Sequence, residues 1–180
     1  MINIRTNMVT IVVSVLLLVI SFFSGCVEET TSTTSGDINF SFVTLDGQTK
    51  QLSDYYGNVI LLDLMGVRCA PCQQEMFELK KISEQYSDEQ LTMISINVWV
   101  HYGETASLVQ ELIDAFREQA DVELDWTFGL DDASGSIFNE YTQGGVSTIH
   151  VIDKNGNLYE SYYSYTAYST LTVTIDELLS

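Results

Sequence analysis

Two cysteines separated by two residues are the part of this sequence best suited to covalent chemistry. Cys69 and Cys72 enclose Ala70 and Pro71 in a C-x-x-C motif. A cysteine reacts as its thiolate, and a second cysteine beside it can resolve the mixed disulfide that the first one forms. This spacing therefore favours thiol–disulfide exchange.

The elements around the motif are predicted to place it at the start of a helix. Val59 to Leu62 is an apolar run that fits a strand buried on both faces, and a short turn follows at Gly66 to Arg68. A helical pattern then continues to about Tyr86, with an apolar side made by Met76, Phe77, Leu79 and Ile82. The unpaired N–H groups and the positive dipole end of such a helix favour a thiolate.

The main alternative for a C-x-x-C motif is one half of a zinc site. A zinc site needs further ligands, but the chain has no second C-x-x-C pair and only two histidines, His101 and His150. His150 falls on an expected central strand, where a hydrogen-bonded core histidine is the default, and His101 is expected to be exposed. We therefore predict no metal site.

The stretch V-I-L-L-D-L-M-G-V-R-C-A-P-C, which ends at Cys72, resembles the active-site region of the thioredoxin superfamily. The resemblance implies that Cys69 attacks, that Cys72 resolves, and that the two form a redox disulfide. It also implies an active-site loop that contains Arg68, Ala70 and Pro71. Met65 and Arg68 stand where the family usually has tryptophans.

The same resemblance implies a catalytic role for Asp63, six residues before Cys69. Thioredoxins place at this position a buried carboxylate that assists proton transfer. Burial raises the pKa of a carboxyl group, which suits a proton acceptor for Cys72. Positional matching puts Ser95 where the family often has a lysine, so Asp63 is expected to rely on a hydroxyl or a water. The alternative is that Asp63 only bonds backbone groups.

A longer pattern, F-x-x-L-D-G-x-x-x-x-L-S-D-x-x-G-N-V-I-L-L-D-L from Phe42 to Leu64, is similar to the TlpA/ResA-like branch of that superfamily. Members of the branch are membrane-anchored and extracytoplasmic. The similarity implies an α/β, thioredoxin-like fold over residues 37–180. Its expected parts are a central mixed sheet flanked by helices, an N-terminal β-hairpin, and an inserted acidic helix from Glu104 to about Ala120.

The segment G-V-S-T-I-H-V-I-D-K-N-G, at Gly145 to Gly156, resembles the family pattern G-V-P-T-x-x-x-I-D-x-x-G. The family proline is cis and packs beside the C-x-x-C motif, whereas this chain has Ser147. A cis bond before a residue other than proline costs about 2.5–4 kcal/mol, so the Val146–Ser147 bond is expected to be trans unless its surroundings impose the cis form. Val146, Ser147 and Thr148 are expected to offer backbone groups to an extended substrate, with the Ser147 hydroxyl near the sulfurs.

The composition limits the classes of function. The 180 residues fit one domain with a leader, and 7 basic against 25 acidic residues give a net charge of −18. Such a charge excludes a general affinity for nucleic acid or for anionic lipid headgroups.

The first 25 residues are expected to be a secretory leader. Val9 to Phe23 is almost entirely apolar and short for a membrane span, and it ends in F-S-G-C, which resembles a lipobox. That resemblance implies lipidation of Cys26, a flexible tether over residues 26–36, and a domain on the outer face of the cell membrane. The alternative is an uncleaved N-terminal anchor.

Together these features predict an extracytoplasmic, membrane-tethered thiol–disulfide oxidoreductase without a cofactor. It is expected to reduce disulfides of exported partner proteins and to exchange electrons with an unidentified membrane redox partner. One alternative is a Cu(I)-binding chaperone of thioredoxin-like fold, which uses the two thiolates as soft ligands. A peroxiredoxin-like peroxidase is a further alternative, but Met65 to Arg68 lacks the proline and threonine that it needs.

Overall fold

A computed structural model describes residues 38–180, so the predicted leader, the tether and Cys26 lie outside the described residues. The strands are β1 (Ser41–Thr44), β2 (Thr49–Gln51), β3 (Val59–Met65), β4 (Leu91–Asn97), β5 (Thr127–Leu130), β6 (Thr148–Ile152) and β7 (Leu158–Tyr162). The helices are α1 (Ala70–Gln85), α2 (Ala106–Ala120), α3 (Ser136–Tyr141) and α4 (Tyr168–Leu179), with 3-10 turns at Leu52–Tyr55 and Val100–Tyr102.

The seven strands form one mixed sheet in the order β2-β1-β5-β4-β3-β6-β7. β3 runs parallel to β4 and antiparallel to β6, so it lies near the centre of the sheet. Every residue of β3 is buried, as the apolar run predicts for a strand covered on both faces. The expected α/β fold, with its N-terminal hairpin β1–β2 and its inserted helix α2, is confirmed.

Alternate residues of β3 face two separate apolar layers. Leu61 and Met65 pack in the layer that contains both cysteines and the buried sides of α1, α2 and α4. Leu62 and Leu64 pack in the opposite layer, with residues of β1 and α3. Since side chains alternate along a strand, Asp63 faces the cysteine layer.

Three local predictions were wrong. Phe77 is 42% exposed and contacts Phe116 of α2 at 5.0 Å between ring centroids, because it lies at the edge of the buried side of α1. His101 is not simply exposed: it packs against the rings of Tyr102 and Phe138. The inserted helix begins at Ala106 because Thr105 caps it, so Glu104 lies ahead of the helix.

Within residues 38–180, none of the helices combines the length and the apolar character that crossing a membrane requires.

Candidate active site

The two cysteines form a disulfide at the first turn of α1, with their Cα atoms 5.2 Å apart. Cys69 is the N-cap residue of this helix, and its sulfur accepts the backbone N–H of Cys72 at 3.2 Å. Pro71 lies in the first turn, where its missing N–H costs no helical hydrogen bond. The helix therefore offers a donor to the sulfur of Cys69, which favours the thiolate of that residue.

The disulfide is largely covered, and Cys69 is the less buried of its two residues. Cys69 is 4% exposed and Cys72 is 1% exposed, so both are more covered than an open nucleophile would be. The sequence neighbours of Cys69 that reach solvent are Arg68, Ala70 and Pro71. A partner can therefore approach Cys69 across this rim, whereas Cys72 is enclosed.

Asp63 lies buried on the cysteine side of the sheet, opposite Ser95 in the β3–β4 register. The Ser95 hydroxyl donates to Asp63 Oδ2 at 2.7 Å, and Trp126 Nε1 donates to Ser95 Oγ at 2.9 Å. The indole N–H thus occupies one lone pair of the Ser95 oxygen, and the hydroxyl proton of Ser95 remains available to Asp63. Asp63 Oδ1 has no hydrogen-bond partner. The expectation that Asp63 would rely on a hydroxyl is confirmed.

Glu75 is a second buried acid on the cysteine side, and the sequence analysis did not identify it. One carboxylate oxygen, Oε1, accepts the backbone N–H of Thr166 at 2.6 Å. The other, Oε2, accepts the hydroxyl of Ser147. Glu75 therefore links α1 to the segment before β6 and to the segment before α4.

Burial makes both acids hold their protons more tightly than usual, and the charge of Asp63 adds to this effect at Glu75. Desolvation raises the pKa of Asp63 to about 7, against a smaller lowering effect of the Ser95 hydrogen bond. Desolvation and then the charge of Asp63 raise the pKa of Glu75 to about 8, against the opposing Thr166 hydrogen bond. Two acids beside the disulfide thus exchange protons near neutral pH.

The Val146–Ser147 peptide bond is cis, so the prediction of a trans bond was wrong. The prediction of a trans bond was based on the local preference of the bond, whereas Ser147 also contacts Glu75 of α1. Its side chain is buried and donates to Glu75 instead of standing free beside the sulfurs. Thr148 is also buried and donates to the carbonyl of Gly145, which leaves Val146 as the half-exposed side chain of the three.

A third buried acid, Glu104, contacts the loop ahead of Cys69. Its Oε2 accepts the N–H of Val67 at 2.6 Å, and its Oε1 accepts the N–H of Arg68 at 3.0 Å. The Arg68 guanidinium lies 4.0 Å from the same carboxylate. The sequence analysis placed Glu104 only as the first residue of the inserted helix and did not predict this burial.

His150 gives the copper hypothesis no ligand. It lies on the sheet face opposite the cysteine layer, since its neighbours Ile149 and Val151 pack in that layer. Its Nδ1 lies 2.8 Å from Ser161 Oγ, and its Nε2 lies 2.8 Å from the carbonyl of Tyr141. The prediction of a hydrogen-bonded core histidine is confirmed. In the part of the chain that the structure describes, no three His, Cys, Asp or Glu side chains are grouped to hold a metal ion.

One sequence signal could have identified Glu75, and none could have identified Glu104. Glu75 follows Cys72 by three residues and lies on the helical face of Met76 and Leu79, where a charge is out of place. Glu104 lies just before a helix, where an acid usually faces solvent and interacts with the helix dipole.

Comparison with known proteins identifies the family of this chain. Residues 31–170 match the Redoxin family. The thiol-disulfide oxidoreductase ResA of Geobacillus kaustophilus is 27% identical over 158 residues, which cover 86% of this chain and 84% of that protein.

Solved structures share the fold. A thiol-disulfide isomerase from Corynebacterium glutamicum superposes with a TM-score of 0.66 at 17% identity, over 81% of this chain and 97% of its own. An exposed lipoprotein thioredoxin of Streptococcus pneumoniae gives a TM-score of 0.60 at 21% identity, over 78% of this chain and all of its own (100%). With its cysteine pair at the tip of α1, the chain belongs to the Redoxin family, as a ResA-like thiol–disulfide oxidoreductase of the thioredoxin superfamily.

Proposed function

We propose that the chain reduces disulfides of exported partner proteins and that Cys69 is its attacking cysteine. The observation that carries this proposal is the asymmetry of the pair. The sulfur of Cys69 lies at the helix tip, accepts an N–H, and borders the solvent-exposed rim. Cys72 is enclosed beside the cysteine-side acids.

The reaction has two steps. The Cys69 thiolate attacks one sulfur of a partner disulfide, that S–S bond breaks, and one partner thiolate leaves. Cys72 then loses its proton and attacks the sulfur of Cys69, which releases the second partner thiolate and forms the Cys69–Cys72 disulfide. Two electrons pass to the partner, and an external dithiol must return them.

Asp63 and Glu75 are the proton acceptors that we assign to the second step. Each has a pKa raised toward neutrality by burial, which matches an acceptor for a thiol that must ionise inside the protein. Because these pKa values are raised, a fraction of the molecules already carries a proton on Asp63 or Glu75 before the reaction. Reduction of the disulfide would take up protons through the same two groups.

We further propose that the domain is held outside the cell membrane. The leader over residues 1–25 and the lipobox-like F-S-G-C support lipidation of Cys26, with residues 26–36 as a tether. The fold similarity to an exposed lipoprotein agrees with this placement. A Cys26→Ser variant should lose incorporation of a labelled fatty acid. Equal labelling of the variant would exclude this anchor.

Trapping tests the assignment of the cysteines. A Cys72→Ser variant should accumulate mixed disulfides on Cys69 with exported proteins, visible as adducts that disappear on reduction. A Cys69→Ser variant is the matched control and should form none. Adducts in the control but not in Cys72→Ser would reverse the two roles.

A redox titration tests the direction of electron flow. Equilibration of the pair with glutathione or dithiothreitol buffers should give a reducing potential, in the range of thioredoxin. A strongly oxidising potential, like that of a disulfide-forming enzyme, would contradict the proposed reduction of partners.

A further inference from the structure

We infer that Glu104 is a positioning residue for the attacking cysteine. Its carboxylate holds the two peptide N–H groups immediately ahead of Cys69, at 2.6 Å for Val67 and 3.0 Å for Arg68. The inference rests on the proposed role of Cys69. It assigns to the inserted segment a part in the reaction that the C-x-x-C motif does not reveal.

The loop that Glu104 holds has one backbone hydrogen bond within its own turn. Residues 66–69 connect the end of β3 to the start of α1, and their turn is closed by one backbone bond, from Cys69 N–H to the carbonyl of Gly66 at 3.2 Å. The N–H groups of Val67 and Arg68 take no part in that bond and donate to Glu104. A buried N–H without an acceptor is costly, so the carboxylate satisfies two groups that the turn itself leaves open.

The same peptide segment is also held from its carbonyl side. Gln73 of α1 donates its Nε2 to the carbonyl of Val67 at 2.7 Å. Val67 is therefore fixed through its N–H by Glu104 and through its C=O by Gln73. With both ends fixed, the loop orients the backbone of Cys69 and hence the direction of its sulfur at the helix tip.

The residues just before Glu104 cover the loop. Trp99 packs on Gly66 so closely that an added Cβ at Gly66 would lie 2.4 Å from an indole carbon. The N–H of Glu104 donates to the carbonyl of Trp99 at 3.2 Å, which connects this cover to the carboxylate. The segment 99–104 thus acts as one unit against the loop.

The partners of the Glu104 carboxylate are hydrogen-bond donors and a positive charge. Two N–H donors and the Arg68 guanidinium at 4.0 Å surround the carboxylate. The other acids near the cysteines are Asp63 and Glu75, on the inner side of the disulfide. Glu104 contacts the loop that precedes Cys69, which we call the entry side of the site, and the proposed reaction assigns it no proton transfer.

Precise placement of a nucleophile is worth a large factor in rate, and small displacements lose much of it. We expect Glu104→Ala to lower kcat for reduction of a disulfide-bonded test peptide by about tenfold or more. The KM should stay within about twofold, because a buried carboxylate does not touch the peptide. Glu104→Gln keeps one acceptor oxygen and should fall between Glu104→Ala and the unchanged protein.

Glu111→Gln is the matched control, since it removes one negative charge from an exposed position of α2. All variants are compared at a temperature at which urea unfolding shows them to be fully folded. If Glu104→Ala does not fold, Glu104→Gln against Glu111→Gln decides the question. A folded Glu104→Gln with the kcat of the control would overturn the inference, because a purely structural role lowers stability and leaves kcat unchanged.

Different results would refute the role of Cys69 and the role of Glu104. Mixed disulfides in a Cys69→Ser variant would refute the role of Cys69 itself. Their absence there, together with an unchanged kcat in both Glu104 variants, would refute only the role of Glu104.

Discussion

Two buried glutamates, one on each side of the disulfide, differ in function because their partners differ. Glu75 is 1% exposed and Glu104 is 2% exposed, so burial alone does not distinguish them. Glu104 accepts two peptide N–H groups and faces a guanidinium, so its partners are donors and a positive charge. Glu75 receives one N–H and one hydroxyl and interacts with the charge of Asp63.

The entry side of the site, which Glu104 contacts, and the inner side, which contains Asp63 and Glu75, therefore have separate functions. On the entry side the Glu104 carboxylate accepts two peptide N–H groups and holds a loop. On the inner side charge is undercompensated, so the pKa values rise and protons exchange near neutral pH. Four predictions test this division.

The largest effect is expected when the inner side loses both proton acceptors. In an Asp63→Asn, Glu75→Gln double variant, resolution of the mixed disulfide should slow by about 100-fold or more, which is the usual weight of general base catalysis. The rate of resolution is measured by quenching samples with acid at successive times and separating the remaining mixed disulfide by chromatography. Formation of the mixed disulfide should change little. Equal slowing of both steps would contradict the division.

The second effect is on the pH dependence of stability. The folded protein keeps the proton of Asp63 up to about pH 7, whereas an unfolded aspartate loses it near pH 4, so stability falls as pH rises between these values. From pH 5 to pH 8 Asp63 should account for a loss of about 2–3 kcal/mol, and Glu75, whose pKa is also raised, should add a loss in the same direction. Urea unfolding of the oxidised protein should show this slope in Glu111→Gln and a flatter one in Asp63→Asn. Identical slopes would show that Asp63 is ionised throughout.

A smaller effect is expected at Ser147. Ser147→Ala removes the hydroxyl that donates to Glu75, which should cost about 1–2 kcal/mol of the free energy of unfolding. The cost should be larger at pH 8.5 than at pH 6, because the lost donor stabilises the ionised carboxylate. Ser107→Ala, at an exposed position of α2, is the control. A cost that does not vary with pH would mean that the hydroxyl does not influence the charge of Glu75.

The smallest effect is expected at Arg68. Its side chain is 62% exposed and 4.0 Å from Glu104, so Arg68→Ala should change the free energy of unfolding by less than about 0.5 kcal/mol. Glu104→Ala should cost several times more, since it leaves two peptide N–H groups without an acceptor. Equal losses in urea unfolding would mean that the ion pair, and not the backbone contact, holds the loop.

Much of the fold follows from local patterns in the sequence. The apolar run at Val59 to Leu62 marks the central strand, because a strand covered on both faces has no polar side. The turn Asp46-Gly47 marks the first hairpin, and Gly47 has the positive φ that such a turn requires. The resemblance added Asp63 and its partner Ser95, which do meet.

The contacts that distinguish the acids are not local. Glu75 and Ser147 are 72 residues apart in sequence, and Glu104 and Val67 are 37 apart. No periodicity relates such positions, since each contact depends on how two segments pack. The same reason explains the Val146–Ser147 bond, where the preference of the isolated peptide gave the wrong isomer.

By itself the sequence determined that two cysteines lie at the tip of a helix behind a buried strand, because strand, turn and helix each follow from neighbouring residues. Only the tertiary structure decided which carboxylates face that pair and with what charge. Burial and hydrogen bonding of a carboxyl group depend on what packs against it, and distant parts of the chain supply those groups.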